Sequence, residues 1–372
     1  MPVTIKEATT RADLREFVNL PFRIYQGNKF WVPPIKQDEL KALLPESNPA
    51  YDFCTAKFWI AVKDGKTVGR IGGIINQRYN EKMNQQFARF SRVEFMDDAD
   101  VTQQLFSTVE LWAKDQGMKG VEGPLGFTNL DHQGMLVEGF DHIASVASEY
   151  HLPYYQDHLD KLGYQKEIDW LEFRLTIKEI PEKALRLNEI IQQRYGLKVL
   201  TFSNRNEMLP YADKVFELLN EAFAELFSVV QLDKKMRTYY VNRYFSFLNP
   251  QFVKFVLDKD ERMVGFIIGL PSLSEAMQKA GGSLFPFGWW HLKKALKQPA
   301  VIDLMLTAVH PKMQAQGVPA ILITELQKTL IQHGVKYAET TGIFESNEKA
   351  IQVWKNYEHI QHKRKRCYVK MF

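Results

Sequence analysis

The sequence predicts an α/β protein of mixed, α+β character, built as two tandem domains of similar topology. Two observations carry that expectation. The order of strand and helix signals runs through once and then repeats. The 372 residues, 45% hydrophobic and 13% aromatic, also supply enough apolar material for two cores of ordinary size.

In the first pass, Val3 to Glu7 reads as a strand, and Thr10 can cap an amphipathic run reaching Leu20. A second helical stretch covers Gln37 to Leu44. Residues 58–71 alternate about Asp64-Gly65, which marks a β-hairpin. A strand (Ala88 to Phe95), a helix (Val101 to Gln116), a short strand (Gly120 to Glu122), a helix (Tyr155 to Leu162) with Gly163 as C-cap, and a strand (Trp170 to Leu175) complete the pass. The second pass has a strand (Leu197 to Phe202), helices (Pro210 to Phe223 and Lys234 to Phe247) and a hairpin about Asp258 to Glu261. It continues with a strand (Val301 to Val309), a helix (Pro319 to His333), a strand (Tyr337 to Thr341), a helix (Asn347 to Tyr357) and a last strand (Lys365 to Met371). The boundary is expected in the polar helical segment Pro181 to Tyr195, giving domains 1–190 and 191–372.

Composition excludes several classes. A net charge of only +4 does not give the basic footprint of a dedicated nucleic-acid binder. No apolar run is long enough to span a bilayer, and MPVTIKEATT has no apolar leader region. The chain therefore reads as cytoplasmic. Cys54 and Cys367 lie at opposite ends, matching neither a disulfide framework nor a metal motif.

Chemistry concentrates in Val309-His310-Pro311-Lys312-Met313-Gln314-Ala315-Gln316-Gly317-Val318-Pro319-Ala320, set between a strand and a helix. Backbone N–H groups at such a turn and helix N-terminus can cradle a pyrophosphate. The segment resembles the acyl-CoA loop of the GNAT N-acyltransferases, V-x-P-x-x-[QR]-x-x-G-x-[GA], with Pro319 replacing the second small residue. Downstream, Asn347-Glu348-Lys349-Ala350 and Trp354 are similar to the family's N-x-x-A-x-x-x-Y helix. The resemblance implies a GNAT-like fold for both domains and acyl-CoA or acetyl-CoA as co-substrate. It also implies that Val309, Gln314, Ala315, Gln316, Gly317 and Val318 bind the pyrophosphate side, with Asn347 and Trp354 beside the pantetheine. Trp354 stands where the family has its acidic tyrosine, and an indole cannot protonate a thiolate; Tyr357, one turn along, can. Asp303 and Glu339 are candidate bases by position.

At the equivalent place the first half has Met96-Asp97-Asp98-Ala99-Asp100, whose carboxylates repel a pyrophosphate. That half is expected to serve the acceptor, through the glycine-rich loop 123–141 with Asp131 and His132 as an acid/base pair. The Asp-His pairs 131/132, 141/142 and 157/158, with His151, match no metal-ligand spacing, and no metal is expected. Read with His151-Leu152-Pro153-Tyr154-Tyr155 and Leu162-Gly163-Tyr164-Gln165-Lys166, this loop resembles the tandem GNAT-like family that includes the bacterial ceramide synthases. Those proteins transfer a fatty acyl group from acyl-CoA to the amine of a sphingoid base. Acyl-CoA and a hydrophobic, sphingoid-type amine are thus the implied partners. Acetyl transfer to a small molecule or peptide, and non-catalytic acyl-CoA or lipid binding, stay open as alternatives.

Residues 284–297, aromatic and then basic, have the composition of an interfacial helix or an inter-domain lid. The first reading predicts peripheral contact with the inner membrane. The run His362-Lys363-Arg364-Lys365-Arg366 reads as a solvated edge strand or, failing that, a contact for phosphates or lipid headgroups.

Overall fold

The computed structural model describes residues 2–354 and 357–372. They form two compact units. The first holds the residues up to Leu171 with 274–291 and 362–372; the second holds Glu172–Leu273 and Leu292–Gln361.

In chain order the elements are β1 (Thr4–Glu7), α1 (Arg11–Ile24), α2 (Lys36–Ala42), β2 (Cys54–Lys63), β3 (Lys66–Asn76), α3 (Gln77–Met83), β4 (Phe87–Phe95), α4 (Ala99–Asp115), β5 (Gly120–Gly123), β6 (Met135–Glu138), α5 (Tyr154–Lys161), β7 (Gln165–Thr176) and α6 (Glu182–Tyr195). They continue with β8 (Lys198–Leu200), α7 (Ala212–Ala222), α8 (Lys234–Tyr244), β9 (Val253–Leu257), β10 (Met263–Pro271), α9 (Ser274–Ala280), α10 (Gly288–Lys297), β11 (Val301–Val309), α11 (Val318–Gln332), β12 (Tyr337–Thr340), β13 (Ile343–Phe344), α12 (Glu348–Trp354) and β14 (His359–Met371). The helix expected to reach Tyr357 is observed to Trp354; residues 355 and 356 lie outside the described residues.

In the first unit, Thr10 caps α1 with a full capping box to Asp13. The sheet runs β1-β2-β3-β4-β5-β14, parallel only at β4–β5. Asp64 and Gly65 both take positive φ, as a tight hairpin turn requires. Helix α4 buries Val101, Leu105, Phe106 and Val109 against Phe90 and Phe95. Gly73 of β3 permits that approach, because a Cβ there would lie 2.6 Å from the Trp112 ring.

In the second unit the sheet runs β7-β12-β11-β10-β9-β8, parallel only at β11–β12. Helix α11 packs on it through Val318, Ile321, Leu322 and Leu326, all buried. Gly265 of β10 makes the room: a Cβ would meet Val318 Cγ1 at 2.7 Å.

Set against halves 1–190 and 191–372, the units differ in their closing strands. Position 190 falls inside α6, which belongs wholly to the second unit. Within the first unit, β14 pairs antiparallel with β5, from Tyr368↔Gly123 to Met371↔Gly120. The basic run is therefore not a solvated edge, and that expectation is corrected. Lys363 and Lys365 are 2% and 4% exposed, and Arg364 and Arg366 grip the fully buried Asp169 at 3.0 Å and at 2.8 and 3.0 Å. The run of five basic residues within β14 hides its inner face in the sequence, since lysine stems bury while their charges find partners. Replacing Arg366 with Met removes the two-bond partner of the buried Asp169 carboxylate and leaves it only Arg364 and Lys166. Chemical denaturation should show a loss of about 2–4 kcal/mol, and an unchanged midpoint would contradict this reading.

Candidate active site

Strand β11 pairs with β12 only from Val301↔Tyr337 to Leu304↔Thr340, while β10 accompanies its other edge out to Val309↔Gly265. The two parallel strands part beyond Leu304. Among the described residues the Thr341 amide and hydroxyl reach back, to the Leu304 and Met305 carbonyls. From Met305 to Val309, β11 thus offers a backbone edge with no strand beside it among the described residues, where an extended amide-bearing arm can pair.

At the open end of that edge the chain makes a tight turn. His310 Nδ1 accepts from the Lys312 amide at 3.3 Å, and Gln314 Nε2 donates to the Val309 carbonyl at 3.4 Å. Residues 311–316, including Ala315 and Gln316, form a short 3-10 helix, and Gly317 closes it with φ +80°. A Cβ there would lie 2.8 Å from Ile191 Cδ1 of α6, so any side chain must push that terminal methyl aside. Helix α11 starts at Val318 with no side-chain cap. Helix geometry leaves the first-turn amides of Val318 and Ala320 without intrahelical acceptors, and Pro319 has none to offer. The start of α11 therefore presents N–H groups and a positive dipole end to an anion.

The equivalent helix of the first unit is built oppositely. Asp98 Oδ1 accepts from the amides of Asp100 (3.0 Å) and Val101 (3.3 Å), and its other oxygen pairs with Lys63. The Lys63 ammonium holds the Asp98 carboxyl below the usual range. Those amides are spent on a resident carboxylate. The loop after β5 also closes on β4: Leu125 N donates to Phe90 O at 2.9 Å and Arg89 donates to Gly126 O at 3.0 Å.

Helix α12 places the remaining expected residues of the second unit. The Asn347 side chain accepts from Ala350 N at 3.2 Å and so caps the helix. Trp354 is buried, its indole N–H without an acceptor among the described residues, and its ring lies 6.1 Å from that of Tyr357. Burial raises the Tyr357 phenol pKa, which keeps the group a proton donor. Asp303, 1% exposed, sits opposite Glu339 just before the strands part. Arg174 already takes Glu339 Oε1 at 2.8 and 2.7 Å, which leaves Glu339 a poor base.

Asp131 and His132 fall in the first unit. Asp131 Oδ2 accepts from Thr128 N at 3.0 Å. His132 is engaged through both ring nitrogens, with Glu149 Oε1 and Val146 O, each at 3.0 Å. Although burial opposes it, the Glu149 carboxylate raises the His132 pKa, and with both ring nitrogens held by oxygen partners the ring is poorly placed to take a proton from an acceptor amine.

Sequence reasoning missed three groups beside these. Arg92, in the left-handed region at φ 48°, reaches Glu39 at 3.4 Å. Glu149 clamps His132. Glu94 is buried and accepts from both Tyr25 (2.7 Å) and Tyr155 (2.6 Å). A lone acid in the apolar strand 87–95 was the available signal. Burial pushes Glu94 and Glu122 up to about 7 each. Folded-state values above the unfolded ones mean the native state binds protons more tightly, so stability is full below the ordinary glutamate pKa and falls as pH rises through neutrality. The melting temperature should decline from about pH 5 to about pH 8, and a Glu94→Gln, Glu122→Gln pair should flatten that decline. An identical slope in both proteins would refute the assignment.

No group of His, Cys, Asp and Glu that could hold a metal ion occurs among the described residues, and no described helix is long and apolar enough to cross a membrane.

Residues 212–357, which hold the parted parallel strands, the glycine-closed turn and the uncapped helix start, match the Acetyltransferase (GNAT) family. Residues 212–357 thus carry an acetyltransferase-type GNAT domain, the chain as a whole has a tandem GNAT fold, and over nearly its whole length it is similar to a bacterial ceramide synthase. It is 25% identical over 374 residues to the Bacterial ceramide synthase of Caulobacter vibrioides (strain NA1000 / CB15N), covering 97% of this chain and 95% of that one. It is 26% identical over 353 residues to Protein YghO of Escherichia coli (strain K12), covering 92% and 89%. In fold it is similar to a tandem GNAT protein from the clavulanic acid biosynthesis pathway, with a TM-score of 0.57 and 13% identity over 99% of this chain and 98% of that one.

Proposed function

We propose that the chain moves a fatty acyl group from acyl-CoA to the amino group of a hydrophobic, sphingoid-type amine. The observation that carries the acyl-CoA half is the uncapped start of α11 beside the free edge of β11. Similarity to a ceramide synthase suggests the acceptor.

In this reading Val309 and the turn Gln314, Ala315, Gln316, Gly317 and Val318 take the pyrophosphate. The pantetheine runs along residues 305–309, with Asn347 and Trp354 beside it. The amine nitrogen bonds to the acyl carbon and the C–S bond breaks. Asp303 receives the proton the amine loses, and Tyr357 supplies one to the departing sulfur, giving an amide and free CoA. The loop of the first unit, with Asp131, serves the acceptor. His132, with both nitrogens engaged, shapes that loop through Glu149. No metal takes part in these steps. Such an acceptor resides in a bilayer, so the enzyme works from the cytoplasm at the inner membrane's surface.

Purified protein given palmitoyl-CoA and sphinganine should yield the N-acyl product by mass spectrometry, with one free thiol per amide. Palmitoyl-CoA should exceed acetyl-CoA by more than about tenfold in kcat/KM. Faster acetylation of a small soluble amine would replace this acceptor with a small-molecule one. Tight acyl-CoA binding without turnover on any amine would leave a sensor.

A further inference from the structure

The segment after α9 projects four large aromatic side chains into solvent. Phe285 is 79% exposed, Phe287 72%, Trp289 47% and Trp290 52%. They are held outward by a built turn. Lys36 N donates to Gly282 O at 3.1 Å, Gln278 Nε2 donates to the Lys29 and Trp31 carbonyls at 2.9 Å each, and Gly282 lies against the Phe22 ring, where a Cβ would clash at 2.4 Å. Beyond it, Trp289 N donates to Leu284 O and the Trp289 indole to Pro286 O. A contiguous, rigidly presented apolar patch on a soluble surface marks something it binds.

Charge says what. Between Glu275 and Asp303 there is no carboxylate, while Lys279, His291, Lys293, Lys294 and Lys297 follow one another. The α10 lysines are exposed. Pairing with a second copy of this chain would set that run against its own like. An anionic interface satisfies both halves, since aromatic rings settle at headgroup depth and lysines at the phosphates. Helix α10 has ten residues, far too few to span.

We propose that residues 284–297 dock the protein on an anionic phospholipid surface, with Phe285, Phe287, Trp289 and Trp290 entering the interface and Lys293, Lys294 and Lys297 facing the headgroups. The docking deepens the proposed function, resting on it only for its purpose, which is to bring the enzyme to a bilayer-resident acceptor.

The test is flotation of the full chain with phosphatidylcholine vesicles with or without phosphatidylglycerol. Binding should need the anionic lipid, weaken in high salt, and fall about tenfold or more for Phe285→Ser with Phe287→Ser and for Lys293→Gln with Lys297→Gln. Both variants should keep wild-type turnover of a water-soluble acyl-CoA with a soluble amine, so failure of docking and failure of acyl transfer are told apart. Equal binding to neutral vesicles, no binding to either, or variants that float like wild type would overturn the proposal. So would a concentration-dependent dimer that the serine variant abolishes.

Discussion

Gly317→Glu should weaken palmitoyl-CoA binding by about a hundredfold or more, measured by calorimetry. Three effects act together. A carboxylate at the start of α11 opposes the pyrophosphate charge, as Asp98 does at α4. The residue must hold φ +80°, and its Cβ must displace Ile191. Gly317→Ala separates these contributions, since it keeps the strain, about 1–2 kcal/mol in the left-handed region, without the charge. It should lose some affinity and stability but far less binding than the glutamate. Equal losses in the two variants would show that steric strain alone governs the turn.

Tyr357→Phe should lower kcat by about a hundredfold with little change in KM, the pattern of a group that acts only as the thiolate departs. The raised phenol pKa predicts a wild-type profile whose alkaline loss of rate falls above the usual tyrosine range. A variant with unaltered kcat would pass the proton donor's role to another group. Because Trp354 packs near Tyr357 and its indole has no acceptor among the described residues, Trp354→Phe is the milder change, expected mainly in KM.

The α/β class, the repeat, both hairpins and the turn at 309–317 were legible because each is written in local signals: alternation, an Asp-Gly turn, a glycine that must take positive φ. Which strand each closing segment joins was not. Strands β7 and β14 are set by pairings far away in sequence, and the cations of β14 made an interior strand read as an edge. Likewise Asp131 and His132 were found by type, yet the carboxylate that fixes the state of His132 is Glu149, seventeen residues on and visible only in the folded chain. The capping role of Asp98 sharpened an expectation of simple repulsion. The acid does more than repel, because it consumes the amides an anion would need.

The contrast between those two helix starts is the centre of the account, and native mass spectrometry with palmitoyl-CoA tests it directly. One acyl-CoA should bind per chain, and Gly317→Glu should abolish it while the protein stays folded. Two bound molecules per chain, or one that survives Gly317→Glu, would contradict it.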